Sequence, residues 1–326
     1  MKNRILCFTL YNSLNYGAFL QAFSIKEVLE KKYNKKVFFY RMPVKINFKG
    51  KSLKNKIFKI SLILKNYKNI KKLKVINTKD GFDIAIVGSD EIWNVNNPTF
   101  YHMNEFFGIG LNSEKVVSFA ASSNNSTHED IIKKYDSNVF DNFDYISVRD
   151  TKTKNLILKN NRYNDVYEIL DPTFLIDWDN YYKDRRKKEK YILLYGYHFS
   201  KKEIELIKKF ANNKKMKVYS IGIYQNDFKN ICCSPFEFIN YVKHCDYMIT
   251  KSFHGTIFSI IMKKSFVVFM EKNNIKIADL LKKMHLEDRL IENDINKLDY
   301  NINYNGIDMI IQKEREKSYE FINKWV

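Results

Sequence analysis

Residues 246–269 read DYMITKSFHGTIFSIIMKKSFVVF. The apolar run DYMIT leads into the polar turn KSFHG at 251–255, HGTIFSIIMK then spaces its apolar residues for a helix, and FVVF at 266–269 is a second apolar run. Strand, turn, helix and strand in succession make one unit of a parallel sheet covered by helices.

The same unit repeats outward from this stretch. Upstream, YILLYGYH (191–198) and KVYSIGI (217–223) read as strands, with helices over residues 200–213 and over SPFEFINYVKHC. In the first half, RILCFT (4–9), VFFYRM (37–42), DIAIVG (83–88), VVSFAAS (116–122) and YISVRD (145–150) read as strands. An amphipathic helix from YNSLNYGA to about Glu30 places Phe19, Phe23, Ile25, Val28 and Leu29 mostly on one side. Strand interiors such as IAIV are apolar throughout, as helices on both faces require. The charged stretch YYKDRRKKEK, after LDPTFLI at 170–176, reads as a connection between lobes. The expected architecture is α/β, two Rossmann-like lobes with parallel sheets around a cleft, divided at 1–180 and 181–326. The C-terminal helix, from about Asp308, is placed so that it could pack back on the first lobe.

A chain of 326 residues suits two lobes, and 45% hydrophobic with 15% aromatic residues supplies their cores. No long uncharged apolar run occurs, and the opening MKNRILCFTLYNS turns polar too soon for a signal peptide, so a cytosolic protein is expected. Cys7, Cys232, Cys233 and Cys245 lack metal-ligand spacing and read as reduced thiols, with no metal site.

Lys and Arg number 56 against 37 acids, a formal +19. The excess concentrates at residues 45–74, with eleven Lys and no acid. There Leu53, Ile57, Ile60, Leu64 and Tyr67 recur at helical spacing beside a cationic face. Such a helix either packs its stripe on the core, the reading favoured here, or lies peripherally on the inner face of a membrane.

Ligands of open parallel sheets sit beyond the carboxyl ends of the strands. The loops there are NSLNYG, GSDEIWN, SSNNS, VRD and TKSFHG. In TKSFHG a helix terminus, Ser252, Gly255, Thr256, Lys251 and His254 offer anion contacts and an exchangeable proton, or else a capped helix start with a packed His. GSDEIWN puts Ser89, Asp90, Glu91 and Trp93 at the cleft mouth, where a Trp beside carboxylates can seat a sugar; alternatively Asp90 caps a helix and Trp93 is core. Gly17 lets backbone approach a ligand, with Asn15, Tyr16 and Gln21 alongside, yet one glycine is no dinucleotide fingerprint. Arg149 aims a permanent cation at the cleft unless it pairs with an acid. Asp171, beside Pro172, reads as a turn residue in preference to a base.

In order and spacing, TLYNSLNYGAFLQAFSIKEVL, DIAIVGSDEIWN, VVSFAASS, YISVRD, ILDPTFLI, ITKSFHGTIFSIIMKKSFVVF and IADLLKKMHLEDRL resemble the polysaccharide pyruvyl transferase family, from about residue 4 to 290. The resemblance implies a fold similar to GT-B glycosyltransferases and transfer of pyruvate from phosphoenolpyruvate, a co-substrate, onto a sugar as a ketal, with no cofactor. It implies Arg149 and His254 as donor-site residues, joined by Lys251, Ser252, Gly255 and Thr256. His254 would be the phosphate ligand or proton donor, and Asp90 or Glu91 the base. Asn15, Tyr16, Gly17, Gln21, Ser89 and Trp93 would serve the acceptor, commonly a lipid-linked oligosaccharide. Some members carry Arg two residues before the His, where this chain has Ser252, so Lys251 is the expected substitute.

Two other functions fit the same features. One is a GT-B glycosyltransferase using a nucleotide-activated sugar, for which Glu271 is the candidate ribose ligand. The other, a basic nucleic-acid or membrane binding module, fits less well because the charge lies in one stretch and no nucleic-acid motif occurs.

Overall fold

The computed structural model describes residues 3–43, 52–98, 102–159, 165–182, 189–271 and 275–326. Residues 45–51 of the basic stretch and 183–188 of the charged connection lie outside the described residues.

The first lobe runs β1 (Arg4–Phe8), α1 (Tyr16–Tyr33), β2 (Lys36–Tyr40), α2 (Leu53–Ile70), β3 (Val75–Ile76), β4 (Ile84–Val87), β5 (Lys115–Ala121), α3 (His128–Ile132), β6 (Tyr145–Val148), α4 (Thr151–Leu158) and β7 (Val166–Glu168). The second runs β8 (Tyr191–Tyr195), α5 (Lys201–Lys214), β9 (Lys217–Ile221), β10 (Lys229–Ile231), α6 (Pro235–His244), β11 (Tyr247–Thr250), α7 (Phe253–Ile261), β12 (Ser265–Phe269), α8 (Ile275–Lys283) and β13 (Leu290–Ile291). Helix α9 (Tyr304–Asn323) ends the chain.

Among the described residues the strands form two sheets, ordered β3-β2-β1-β4-β5-β6-β7 and β10-β9-β8-β11-β12-β13. Every pairing between them is parallel. Strand order reverses between β1 and β4 in one lobe and between β8 and β11 in the other. At such a switch point neighbouring connections leave on opposite faces and open a crevice at the carboxyl edge. All four residues of β4 are buried, because helices cover both faces.

Local chemistry sets the helix ends. Asn15 caps α1 by accepting from Gly17 N, and α5 and α6 open with reciprocal capping boxes, Ser200 with Glu203 and Ser234 with Glu237. Helix α1 is buried on every side from Tyr16 to Leu29, Lys26 and Glu27 included, rather than on the one face its sequence suggested. The cause is tertiary: Phe19 and Phe23 pack edge-on against Phe236 of α6 at 5.8 and 5.0 Å, and Phe23 also meets Trp178 at 6.5 Å. One apolar core therefore runs from the first lobe into the second, where a smaller separate cluster gathers around Ile192, Ile207 and Val267. Helix α9 lies on the first lobe, where Ser318 Oγ accepts from Leu170 N and Phe321 and Trp325 pack on Phe119.

Helix α2 corrects the favoured reading of the basic stretch. Its inward row is Phe58, Leu62 and Asn66, whereas Leu53, Ile57, Ile60, Leu64 and Tyr67 face outward.

Candidate active site

The carboxyl edges of the two sheets meet, and five strand ends supply the polar groups between them. From the first lobe, Thr9 follows β1, Ser89 to Glu91 follow β4, and Arg149 follows β6. From the second, Tyr195 ends β8 and the turn 251–252 joins β11 to α7, whose first turn carries His254. Asn15 ties the lobes together, because its Oδ1 accepts from Gly17 N at 2.9 Å and from the Tyr195 hydroxyl at 2.7 Å. Tyr16 does the same, donating to the Cys233 carbonyl at 3.0 Å while its ring stacks on Tyr195 and Phe238.

His254 sits against the first turn of α1. A Cβ added at Gly17 would lie 2.0 Å from His254 Cγ and 2.1 Å from Nδ1, so only glycine leaves room for the imidazole. The opposite nitrogen, Nε2, lies 3.5 Å from Asp171 Oδ2. Asp171 Oδ2 also meets Arg149 Nη1 at 3.2 Å, and its Oδ1 accepts from Thr173 N and Thr173 Oγ1 at 3.1 and 2.7 Å. Arg149 Nη2 continues the chain to Asp90 Oδ1 at 3.1 Å, and its guanidinium lies 4.5 Å from the centre of the Phe253 ring. Asp90, Arg149, Asp171 and His254 thus form one row of alternating acidic and basic side chains across the cleft. Arg149 Nε and His254 Nε2 are buried without a hydrogen-bond partner.

Burial opposes charge on Asp171, but the His254 imidazole close by, then Arg149 and the Thr173 hydroxyl, hold its carboxyl well below the usual range. It is an anion at neutral pH. Arg149 is likewise buried at the expense of its charge, and Asp90, Asp171, Glu91 and Asp150 more than compensate. Glu91 is burdened by burial too, yet the charge and hydrogen bond of Lys276, with Asn94, bring it down to about 2. Its Oε2 accepts from Asn94 and Asn124 at 3.0 and 2.7 Å, while Oε1 pairs with Lys276 of α8.

Helix α7 starts at the same place. Its N-cap, Ser252, makes no side-chain cap hydrogen bond, so the amides of the first turn receive nothing from it. The Thr256 hydroxyl is spent within the helix on the Ser252 carbonyl, and Gly255 is required because a Cβ there would fall 2.1 Å from Thr250 Oγ1.

Several residues expected at the site lie elsewhere in its anatomy. Trp93 is fully buried, donates Nε1 to the Phe106 carbonyl at 2.7 Å and packs on Phe107, Phe140 and Phe143; it is core, not a sugar platform. Gln21 is buried, with Nε2 donating to Thr9, Leu10 and Ala18 and Oε1 accepting from Ser89 Oγ, so both side chains brace the end of β1. Lys251 turns away from the cleft to Glu203 and Glu271 at 3.2 and 3.0 Å and cannot stand in for the missing arginine. Glu271, the candidate ribose ligand, is the same pair's other half.

Three residues that sequence reasoning passed over belong here. Asp171 is indeed a turn residue, capping the helical turn at 172–175, but it also joins Arg149 to His254. Lys276 reaches Glu91 from the other lobe and lies 5.6 Å from the Phe253 ring centre, so two cations flank the start of α7. Tyr197 stands half exposed on the loop after β8; crowding by protein, then the charges of Glu91 and Asp90, push its hydroxyl up to about 12. The LDPT turn was visible in sequence. Neither Lys276 nor Tyr197 carries a local signal, because each matters through contacts made across the chain.

A family model described as Polysaccharide pyruvyl transferase matches residues 15–273. No curated protein matches the chain by sequence. Among solved structures, UDP-GlcNAc 2-epimerase from Methanocaldococcus jannaschii, in complex with UDP-GlcNAc and UDP, superposes with a TM-score of 0.54 at 14% identity over 99% of each chain. The S. aureus MnaA–UDP structure gives 0.54 at 11% identity, covering 98% of this chain and 91% of that one. These likenesses establish a two-lobed GT-B-type fold.

Proposed function

Because the chain belongs to the polysaccharide pyruvyl transferase family, we propose that this transferase moves pyruvate from phosphoenolpyruvate onto two hydroxyls of a sugar, closing a ketal in cell-surface polysaccharide synthesis. The observation that carries the reading is that Arg149 Nε and His254 Nε2, buried on either side of Asp171, make no hydrogen bond, His254 Nε2 coming no nearer to Asp171 Oδ2 than 3.5 Å. Buried donors without partners are rare, and a bound anion would satisfy them. Phosphoenolpyruvate offers a carboxylate and a phosphate, matching Arg149 at one end and the uncapped α7 terminus at the other. Lys276, next to Phe253, supplies the second cation that Lys251 does not.

In the reaction, an acid protonates C3 of the donor and leaves an oxocarbenium-like C2. One sugar hydroxyl attacks C2 and gives its proton to a base; the C2–O bond to phosphate breaks, and a second hydroxyl attacks C2 to close the ketal, its proton leaving with the phosphate. His254, held by Asp171, is the proton donor or phosphate ligand. Asp90 is the better base of the two carboxylates expected to act. Glu91, at about 2 and clasped by Lys276, is too weakly basic to take a hydroxyl proton efficiently. Arg149 and Glu91 N both engage Asp90 Oδ1, which leaves Oδ2 for the acceptor. Tyr197 offers the exposed aromatic face beside these carboxylates that Trp93 does not.

The acceptor is a lipid-linked oligosaccharide, and the enzyme works as a cytosolic protein in peripheral contact with the inner membrane face. Among the described residues no helix is long and apolar enough to cross a membrane. Mass spectrometry of candidate acceptors incubated with phosphoenolpyruvate tests the reaction. A pyruvyl increment that requires His254 supports it. No increment on any lipid-linked or free oligosaccharide, or full retention by His254→Ala, sinks it.

A further inference from the structure

Among the described residues, five of the exposed large apolar side chains lie on one helix. Leu53, Ile57, Ile60, Leu64 and Tyr67 of α2 are 72%, 56%, 49%, 61% and 61% exposed. At about 100° per residue, their spacing keeps them within roughly 40° of a single line along the helix. The buried row, Phe58, Leu62 and Asn66, is on the opposite side. Exposed Lys54 and Lys68 border the stripe on one flank and exposed Lys56 on the other, with exposed Lys71, Lys72 and Lys74 just beyond. No acid occurs in the helix.

The inner side is firmly held. Phe58 packs edge-on against Tyr224 at 5.8 Å, and Lys65 donates to the Cys232 carbonyl at 3.1 Å and pairs with Glu237 at 3.3 Å. These partners belong to the second lobe, so α2 bridges both lobes from outside. The loop carrying Tyr224 also reaches the end of β8, where Gln225 Nε2 donates to the Gly196 carbonyl at 3.3 Å. The helix therefore borders the strand-end face on which the candidate site opens.

A helix that only covers a core buries its apolar stripe. Here a second stripe faces solvent between basic margins, the pattern of a helix lying in a bilayer interface. We infer that α2 is an in-plane docking element for an anionic lipid surface. Its stripe enters the headgroup boundary while its lysine stems let their ammonium groups reach lipid phosphates. Charge selects this occupant over a second copy of the chain. A two-fold contact through this face would set one acid-free lysine row against another, in a protein of formal charge +19. The inference rests on the proposed function only for its purpose, which is to bring the cleft to a lipid-linked acceptor.

The test is flotation of the full chain with vesicles of phosphatidylcholine alone and of phosphatidylcholine with phosphatidylglycerol, at low and high salt, without donor or acceptor. Binding to the anionic vesicles, weakened by salt, is expected. Combined Leu53→Ser, Ile57→Ser and Leu64→Ser should cut the partition coefficient at least about tenfold with an unchanged melting temperature, since these side chains are already exposed. Lys54→Gln, Lys56→Gln and Lys68→Gln together should remove the salt-sensitive part. Absence of wild-type binding, or binding by the serine variant equal to wild type, overturns the inference. So does a wild-type dimer that the serine variant converts to monomer. Pyruvyl transfer to a soluble acceptor, assayed separately, stands or falls without reference to these outcomes.

Discussion

A methyl group at position 17 would fall inside the His254 ring's contact distance, and nothing on α1 could give way without shifting the helix. Gly17→Ala is therefore expected to displace the imidazole, weakening donor binding at least tenfold (~1.4 kcal/mol) and costing about 2 kcal/mol of stability from overpacking. Calorimetry with phosphoenolpyruvate and urea unfolding measure the two effects; unchanged donor affinity would mean the ring position is immaterial. Tyr197 is the proposed acceptor contact. Its replacement by Ala should raise the acceptor KM roughly threefold to tenfold while leaving donor affinity and melting temperature unchanged. A change in donor affinity instead would put Tyr197 at the donor. At this scale the sequence revealed His254, Arg149 and Asp90 because strand ends are countable. It misled at Trp93, where a residue three places beyond Asp90 turns into the core, and at Lys251, whose carboxylate partners stand 48 residues before it and 20 after.

Helix α8 clasps the first lobe through three contacts. Lys276 meets Glu91, Asp279 Oδ2 accepts from Thr151 N at 3.2 Å, and Lys283 pairs with Glu168. The Glu91 pair has a pH signature. Its folded value, about 2, lies below its ordinary 4.5. The resulting stabilisation, on the order of 3 kcal/mol, is complete above about pH 4.5 and is lost as pH falls towards 2. Asp171, also held below its ordinary range, adds a loss of the same sign as pH falls. Lys276→Gln should cost about 2–3 kcal/mol near neutrality and flatten the acid decline, as read by urea unfolding over a pH series. An acid decline identical to wild type would show that Glu91 is not held by Lys276. Buried strands such as β4 and β11 were legible from apolar runs alone. The edge strands β3, β7, β10 and β13 were not, because two or three residues carry no period. For α2 the repeat was read correctly but its direction was not: the sequence has two candidate apolar rows, and only packing against Tyr224 decides which one turns inward.

Across the whole molecule, two sheets of the same strand order bring their switch points face to face, and α1 is buried between them. Two parallel-sheet lobes around a cleft were readable from the alternation of strands and helices; the burial of α1 on every side was not. Nor was the closing of the cleft on a single row of acidic and basic side chains, Asp90 to His254, since it depends on how the lobes meet. The central claim is that this row and the α7 terminus hold phosphoenolpyruvate. Titration calorimetry of the wild type with phosphoenolpyruvate, and with a panel of nucleotide-activated sugars, tests it most directly. The expected result is saturable binding of phosphoenolpyruvate, at least about tenfold weaker in Arg149→Gln, with no heat from the nucleotide sugars. Binding of a nucleotide sugar and none of phosphoenolpyruvate would contradict it.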